Sequence, residues 1–143
     1  MNAVDEKGLA IASEFEMFDE WMDKYNYLIE LGKSLPLIDE KDKTTSNLIS
    51  GCQSRVWLSA NYENGKVYFK GDSDAIITKG IVSVLIRSMD GAGVDDIIAS
   101  ELDWLDNTGL KEHLSPTRSN GLVAMIKQMK LYAMAFKVKY ENK

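Results

Sequence analysis

The chain has 143 residues, of which 45% are hydrophobic and 27% are charged, and its net charge is −5. This length and composition predict one soluble globular domain, residues 1–143, with a single core. The acidic balance argues against binding to nucleic acid or to an anionic membrane surface. No secretory signal pattern opens the chain, and no apolar run approaches the ~20 residues that span a bilayer. We therefore expect a cytoplasmic protein, without a membrane association, whose partners are other proteins.

The first strong pattern lies at residues 13–32, SEFEMFDEWMDKYNYLIELG, and predicts one amphipathic helix. Apolar side chains recur there at steps of three and four, which places them on one helix face. Ser13, with Glu16 three residues later, is a candidate N-cap in a capping box, and Gly32 is a candidate C-cap. Residues 39–47 are charged and polar, so we expect an exposed connection after this helix.

Residues 55–71 carry the clearest β-strand pattern, because two alternating runs flank the sequence ENG. Asn64-Gly65 is a strong signal for a type I′ hairpin turn, since both residues tolerate positive φ. An isolated hairpin is marginal in water, so helices or further strands must cover its apolar face. In the first strand that face is formed by Val56, Leu58, Ala60 and Tyr62.

Residues 74–89 predict a second helix, which is apolar on most sides and should therefore lie at the centre of the core. The acidic and hydroxyl side chains just before it are candidate caps, and Gly80 allows a neighbouring helix to pack closely. The sequence GAG at 91–93 lacks the third glycine of a dinucleotide-binding motif and is interpreted as a turn. Residues 93–102 and 104–114 are typical of short helical pieces joined by loops.

A long helix is predicted after residues 115–121, SPTRSNG, with Ser119 as candidate N-cap and an end near Lys139. Its buried stripe should comprise Leu122, Met125 or Ile126, Met129, Tyr132 or Ala133, and Phe136. The order of a helix, a hairpin and further helices predicts an α+β fold. In that fold a small antiparallel sheet packs with helices that precede and follow it in the chain.

Cys52 is the only cysteine and lies in SGCQSR, residues 50–55. A lone cysteine is most often a small buried side chain, which is one interpretation of this residue. The other is a reactive thiol. Gly51 permits an unusual backbone, Gln53 and Ser54 bring polar groups, and the strand pattern begins only afterwards, so a reachable loop position is expected.

Other residues that could carry chemistry give weaker signals. A reactive thiol needs positive potential, which Arg118 could supply from the start of the long helix, although an isolated surface arginine is the simpler role. His113 shows no pattern that links it to the cysteine. Asp72 and Asp74 resemble the start of a calcium loop, but the spacing fails and helix capping is preferred. One cysteine and one histidine also predict no bound metal and no cysteine-ligated cluster.

Together, four stretches resemble the SufE family, which includes SufE and CsdE and comprises sulfur-acceptor partners of type II cysteine desulfurases. The resemblance covers roughly Trp21 to Ala135 and implies a fold similar to that of U-type iron–sulfur scaffolds. The stretches that carry it are YLIELGKSLP at 27–36, GCQSRVW at 51–57, GDSDAIITKGIVSVLI at 71–86 and LSPTRSNGLVAMI at 114–126.

The resemblance implies a mechanism in which a desulfurase of the SufS or CsdA type holds sulfur from cysteine as a persulfide. That enzyme carries pyridoxal phosphate, whereas no cofactor is expected on this chain. Cys52 would take the terminal sulfur, stimulate the desulfurase and pass the sulfur to a cluster-assembly scaffold of the SufBCD type. Asp74 and Arg118 match residues near the acceptor loop or the desulfurase contact. The residues that would shape the loop are Gly51, Gln53 and Ser54.

Such a protein is a co-substrate and activator of another enzyme rather than an independent enzyme. The main alternative is a regulatory adaptor that binds the desulfurase without carrying sulfur. Two further alternatives are an iron–sulfur scaffold, which would require more ligands than one thiol, and a thiol peroxidase or cysteine hydrolase. We also expect Cys52 to rest against the apolar surface near Trp57, because an exposed persulfide is easily lost.

Overall fold

The computed structural model describes residues 2–49, 54–110 and 116–141, with side chains from residue 121 onward in the last range. Two short 3₁₀ turns at Glu40–Asp42 and Thr45–Asn47 form the predicted exposed connection, and a π-helical turn spans Lys137–Glu141. The helices include α1 (Ala3–Glu16), α2 (Trp21–Gly32), α3 (Ile76–Met89), α4 (Val94–Ala99), α5 (Leu105–Thr108) and α6 (Pro116–Phe136), and the strands are β1 (Val56–Glu63), β2 (Lys66–Ser73) and β3 (Ala92–Gly93).

The predicted hairpin is confirmed and forms most of an antiparallel sheet of order β1-β2-β3. The turn residues Asn64 and Gly65 have φ of 53° and 81°, as a type I′ turn requires. The α+β class is thereby confirmed. The turn predicted at 91–93 is partly wrong, because β3 pairs with β2 there while only Gly91 keeps a turn conformation, with φ 78°. A strand of two residues is too short to produce an alternating pattern.

The N-terminal region differs from the single helix predicted at 13–32, because α1 and α2 are separate helices. Phe15 and Tyr27 lie with ring centroids 5.3 Å apart, whereas twelve residues of straight helix would separate them by ~18 Å. The chain therefore turns back between them. Ser13 is not an N-cap but donates to the Leu9 carbonyl inside α1 at 3.0 Å, and the true cap is Asn2.

The central element is α3, whose side chains are buried on most of its faces, as predicted. It packs closely on α2, since a Cβ added at position 80 would collide with the Leu28 carbonyl oxygen. Ser83 also donates its hydroxyl to the Leu31 carbonyl at 2.8 Å. The close packing predicted at Gly80 is therefore confirmed, and it fixes the separation of the two helices.

The last long helix, α6, covers β1 and closes the core. It begins at Pro116, a residue favoured in the first helical turn, so Ser119 lies inside the helix and is not its N-cap. The Tyr132 hydroxyl donates to the Leu58 carbonyl at 2.9 Å. The predicted buried stripe is confirmed at Leu122, Met125, Met129 and Ala133.

No helix in the described ranges is long and apolar enough to cross a bilayer.

An ion-pair cluster joins the first three helices at the surface. The Arg87 guanidinium donates to both carboxylate oxygens of Glu14, at 3.0 and 2.8 Å, and the Tyr27 hydroxyl donates to the same carboxylate. The hydrogen bonds from Arg87 hold the pKa of Glu14 below its ordinary value of 4.5, although partial burial opposes this. Glu14 therefore links α1 to both α2 and α3.

We expect Gly80→Ala to lower the free energy of unfolding by about 3 kcal/mol, because the added methyl group meets backbone atoms that cannot move independently. The matched control is Gly93→Ala, where the nearest atom to an added Cβ is 3.8 Å away. Urea denaturation of both variants measures the difference. Equal stability of the two variants would contradict the close packing of α2 on α3.

We expect Glu14→Gln to lower the free energy of unfolding by ~0.5–1 kcal/mol at pH 7, since the pair is partly exposed and screened by solvent. A carboxyl whose pKa is lowered on folding stabilises the protein above its unfolded pKa and loses that effect as the pH falls. The deficit should therefore shrink below about pH 4.5. Urea denaturation at pH 7 and pH 3 tests this. The control is Glu30→Gln, which removes a carboxylate from an exposed salt bridge with Lys33.

Candidate functional site

The predicted cysteine loop lies between two described segments that are bonded to each other. The Ile49 amide donates to the Val56 carbonyl at 2.8 Å, and Leu48 forms an antiparallel bridge with Trp57. Ser54 is half-buried at the end of the loop. Gly51, Cys52 and Gln53 themselves lie outside the described residues. The base of the loop is therefore closed immediately before β1.

The backbone of Arg55 is held at this base by the residues that precede α3. The Asp74 carboxylate accepts from the Arg55 amide at 3.1 Å, and the Asp74 amide donates to the Arg55 carbonyl at 3.3 Å. The Ser73 hydroxyl donates to the same carbonyl at 2.8 Å. Asp74 thus contacts the chain three residues after Cys52, and its own side chain is exposed.

Helix capping by these side chains, the role preferred from the sequence, is wrong for Asp72 and Asp74. The residue that precedes α3 is Ala75, and no side chain caps the helix there. The Ser73 hydroxyl accepts from the Ala75 amide at 3.2 Å, one residue before the helix begins. Both carboxylates are instead used in tertiary contacts, because the hairpin brings the end of β2 beside the start of β1.

A charged cluster on the sheet adjoins the loop base. Asp72 lies opposite Trp57 in the strand pair and forms salt bridges with Lys43 at 2.7 Å and Lys79 at 3.3 Å. Burial raises the pKa of Asp72, but the hydrogen bonds from Lys43, the Ser73 amide and Lys79 outweigh it, so the pKa lies below its usual value. The Lys43 ammonium also lies 5.3 Å from the centre of the Trp57 ring.

The cluster has two physical consequences for the site. It fixes the 3₁₀ connection, β2 and α3 against one another at the position where the loop enters the sheet. The charges of its two lysines are also balanced, because Lys43 forms a second salt bridge with Glu40 at 2.9 Å, so the cluster is neutral. Sequence analysis missed Lys43 because nothing in the polar run 39–47 indicates which of its charges contacts the sheet.

Apolar side chains remain exposed beside the loop base. Leu48 is 38% exposed at the bridge to Trp57, and Ile76 is 63% exposed at the start of α3, two residues after Asp74. Exposed aliphatic side chains are a common feature of surfaces that another protein covers. The arrangement therefore suits docking against a partner better than binding of a small ligand in a closed pocket.

The remaining residues singled out from the sequence are not brought to the site by described contacts. Arg118 belongs to the first turn of α6, but its side chain lies outside the described residues, as does His113. Proximity of Arg118 to Cys52 therefore stays a prediction, and so does contact between Cys52 and Trp57. Within the described ranges, no three His, Cys, Asp or Glu side chains cluster closely enough to hold a metal ion.

Comparison with known proteins gives a consistent result. A family model described as "SufE: Fe-S metabolism associated domain" matches residues 9–133. An uncharacterized SufE-like protein of Rhizobium etli is 40% identical over 125 residues, which cover 84% of each chain. A similar protein of Rhizobium meliloti is also 40% identical, over 84% of this chain and 89% of its own. One from Synechocystis is 35% identical over 90% of this chain and 80% of its own.

A solved structure shares the fold at lower sequence similarity. The solution structure of a hypothetical protein from Thermus thermophilus matches with a TM-score of 0.75 and 18% identity. The match covers 90% of this chain and 94% of that one. At this identity the match supports the fold alone.

We expect Asp74→Ala to raise the hydrogen-exchange rate of the Arg55 amide about five- to tenfold, because one hydrogen bond of ~1 kcal/mol is lost while the backbone bonds remain. Asp74→Asn keeps an acceptor oxygen and should exchange at nearly the wild-type rate. NMR-detected exchange measures both variants. An Arg55 amide whose exchange is unchanged in Asp74→Ala would show that this carboxylate does not hold the loop base.

Proposed function

The chain belongs to the SufE family of domains associated with Fe–S metabolism, and from that premise we propose that it is a sulfur carrier. In this proposal Cys52 receives sulfur from the persulfide of a cysteine desulfurase and passes it to an iron–sulfur cluster scaffold. The observation that carries the proposal is that the single cysteine lies in the sequence between Ile49 and Arg55, whose backbones are tied to Val56 and Asp74.

One thiol is sufficient for this chemistry. The Cys52 thiolate attacks the terminal sulfur of the donor's cysteine persulfide, a new S–S bond forms, and the donor's S–S bond breaks. The electron pair of that bond leaves with the donor thiolate, so no external oxidant or reductant takes part. A recipient thiolate repeats the exchange and returns Cys52 to its starting form. A second cysteine nearby would compete by forming a disulfide and releasing the sulfur.

The residues around Cys52 have separable roles in the proposal. Gly51, Gln53 and Ser54 shape the loop that presents the thiol. Asp74 would position the loop through its hydrogen bond with the Arg55 amide. Arg118, at the start of α6, would stabilise the thiolate and the persulfide, since both are anions and a helix N-terminus favours negative charge.

The proposed partners are those that membership of the family implies. The donor is a desulfurase of the SufS or CsdA type, which supplies pyridoxal phosphate, and the recipient is a SufBCD-type scaffold. This chain would hold no cofactor of its own. It acts as a co-substrate and activator, and the exposed Leu48 and Ile76 beside the loop base support a docked mode of action.

We expect the protein, after incubation with a type II cysteine desulfurase and cysteine, to gain the mass of one sulfur atom. Intact mass spectrometry without reductant measures the gain, which a thiol reductant should remove. Cys52→Ser should gain nothing, because serine cannot form a persulfide. Wild-type protein alkylated with iodoacetamide is a second blocked form that keeps the native sequence at every position.

The same samples distinguish a sulfur carrier from a regulatory adaptor that does not carry sulfur. A carrier loses its stimulation of desulfurase turnover in both blocked forms, whereas an adaptor keeps it. No mass gain on wild-type protein, under conditions in which the desulfurase itself is loaded, would refute sulfur transfer to Cys52.

A further inference from the structure

The long helix α6, with the π-helical turn that continues it, is apolar on two opposite faces. Its inner face packs on the core through the buried stripe described above. At about 100° of rotation per residue, five further side chains fall on the opposite side. We call them the outer stripe, which comprises Val123, Lys127, Leu131, Met134 and Val138. A helix at the surface of a soluble domain normally has a polar outer face, so this second apolar face is unusual.

The apolar members of the outer stripe are open to solvent. Their exposed fractions are 59% for Val123, 45% for Leu131, 49% for Met134 and 66% for Val138. Apolar side chains that are exposed singly are normal, whereas a contiguous row marks a surface that another molecule covers. The last three follow one another at steps of three and four residues, which is the spacing of the seam between two packed helices. The whole row is ~22 Å long, or about four turns of a partner helix.

The same helix is basic, although the chain is acidic. The chain has 22 Asp and Glu residues, but none occurs from His113 to Tyr140. Residues 121–141 contain four lysines and one glutamate, a net charge of +3, which leaves −8 for the remainder of the chain. Charge that is segregated in this way favours a partner of the opposite sign, which here is acidic.

Most of these lysines are not neutralised within the chain. Lys137 forms a salt bridge with Asp95 at 2.6 Å. The other three form no salt bridge among the described residues; they are Lys127, Lys130 and Lys139. Lys127 lies within the outer stripe itself. A second copy of this helix would oppose it with further lysines, whereas an acidic helix would offer it a carboxylate.

We propose that the outer stripe binds an amphipathic helix of an acidic partner protein. The apolar side of that helix packs on the aliphatic and methionine side chains of the stripe, and its flanking Glu or Asp side chains pair with the unpaired lysines. A single helix contacts only this basic face. Nucleic acid or an anionic bilayer is disfavoured, because such an extended polyanion also meets the remainder of the chain, with its charge of −8.

The test measures binding of a fluorescent helical probe to the full-length protein by anisotropy, at low and at high salt. The probe is a hydrocarbon-stapled peptide of about three heptads, with leucine at positions a and d and glutamate at positions e and g. A second probe carries lysine in place of each glutamate. The two probes have the same apolar face, so they differ only in the sign of their charge.

We expect wild-type protein to bind the acidic probe at least tenfold more tightly than the lysine probe at low salt. Lys127→Glu should weaken binding of the acidic probe about fivefold and strengthen binding of the lysine probe. The control Lys41→Glu makes the same change of net charge at an exposed lysine outside the stripe, and it should alter neither affinity. High salt should remove these differences.

The apolar contribution is tested separately. Leu131→Ser combined with Met134→Ser should weaken binding of the acidic probe about tenfold at either salt concentration, because apolar burial is not screened by salt. The matched control is Met17→Ser combined with Met22→Ser, which removes two exposed apolar side chains elsewhere and should bind as wild type does. Circular dichroism checks that both variants keep their helix content.

The other outcomes overturn the inference. No saturable binding of the acidic probe by wild-type protein, or equal affinities of wild type and both stripe variants, would show that the outer stripe is not a site for a helix. Flotation with phosphatidylglycerol vesicles that the stripe variants abolish would assign it to a lipid surface. A wild-type dimer that they abolish, seen by light scattering, would assign it to a second copy of this chain. The outer stripe has no part in the proposed sulfur transfer, so its failure would leave that function unchanged.

Discussion

The burial of α3 is the constraint on which the rest of the structure depends. A helix that is apolar on most faces cannot remain in water, so other elements must surround it. The hairpin covers one side, while α1 and α2 fold back on each other to cover another. The contact between Gly80 and the Leu28 carbonyl permits the closest of these approaches. The positions of the strands and helices around the candidate site therefore follow from the need to bury the apolar faces of α3.

This packing also explains how the start of β1 is held at Arg55. The segment before α3 must run beside the start of β1, because β2 and β1 are paired along their whole length. Asp74 and Ser73 then reach the Arg55 backbone without any distortion of the helix. The side chains that hold Arg55 therefore come from the segment that precedes α3.

The charged side chains at the surface form two groups, which differ in whether they are paired in salt bridges. Near the loop base, Asp72 is matched by Lys43 and Lys79, and Lys43 is also paired with Glu40, so these charges hold the fold together. Between α1 and α2, by contrast, the exposed carboxylates have no ion-pair partner among the described residues.

Much of the fold could be predicted from the sequence, since its signals are local. Asn64-Gly65 determined the hairpin and its register, the apolar pattern of 74–89 determined a central helix, and the stripe of α6 determined the face that it buries. The motifs around Cys52 and Arg118 determined the family. The hairpin and helix signals each depend on residues close together in the sequence, so they can be recognised without the tertiary structure.

Other features were decided only by the tertiary structure. The apolar stripe of 13–32 is continuous in sequence, so only the packing of Phe15 and Phe18 on Tyr27 shows that it breaks into two helices. The pairing of Asp72 with Lys43, and the use of Asp74 to hold Arg55, join segments far apart in the chain. The local sequence pattern could not distinguish these tertiary contacts from helix capping, because a carboxylate can serve in both. Only the fold decides which partner comes within hydrogen-bonding distance.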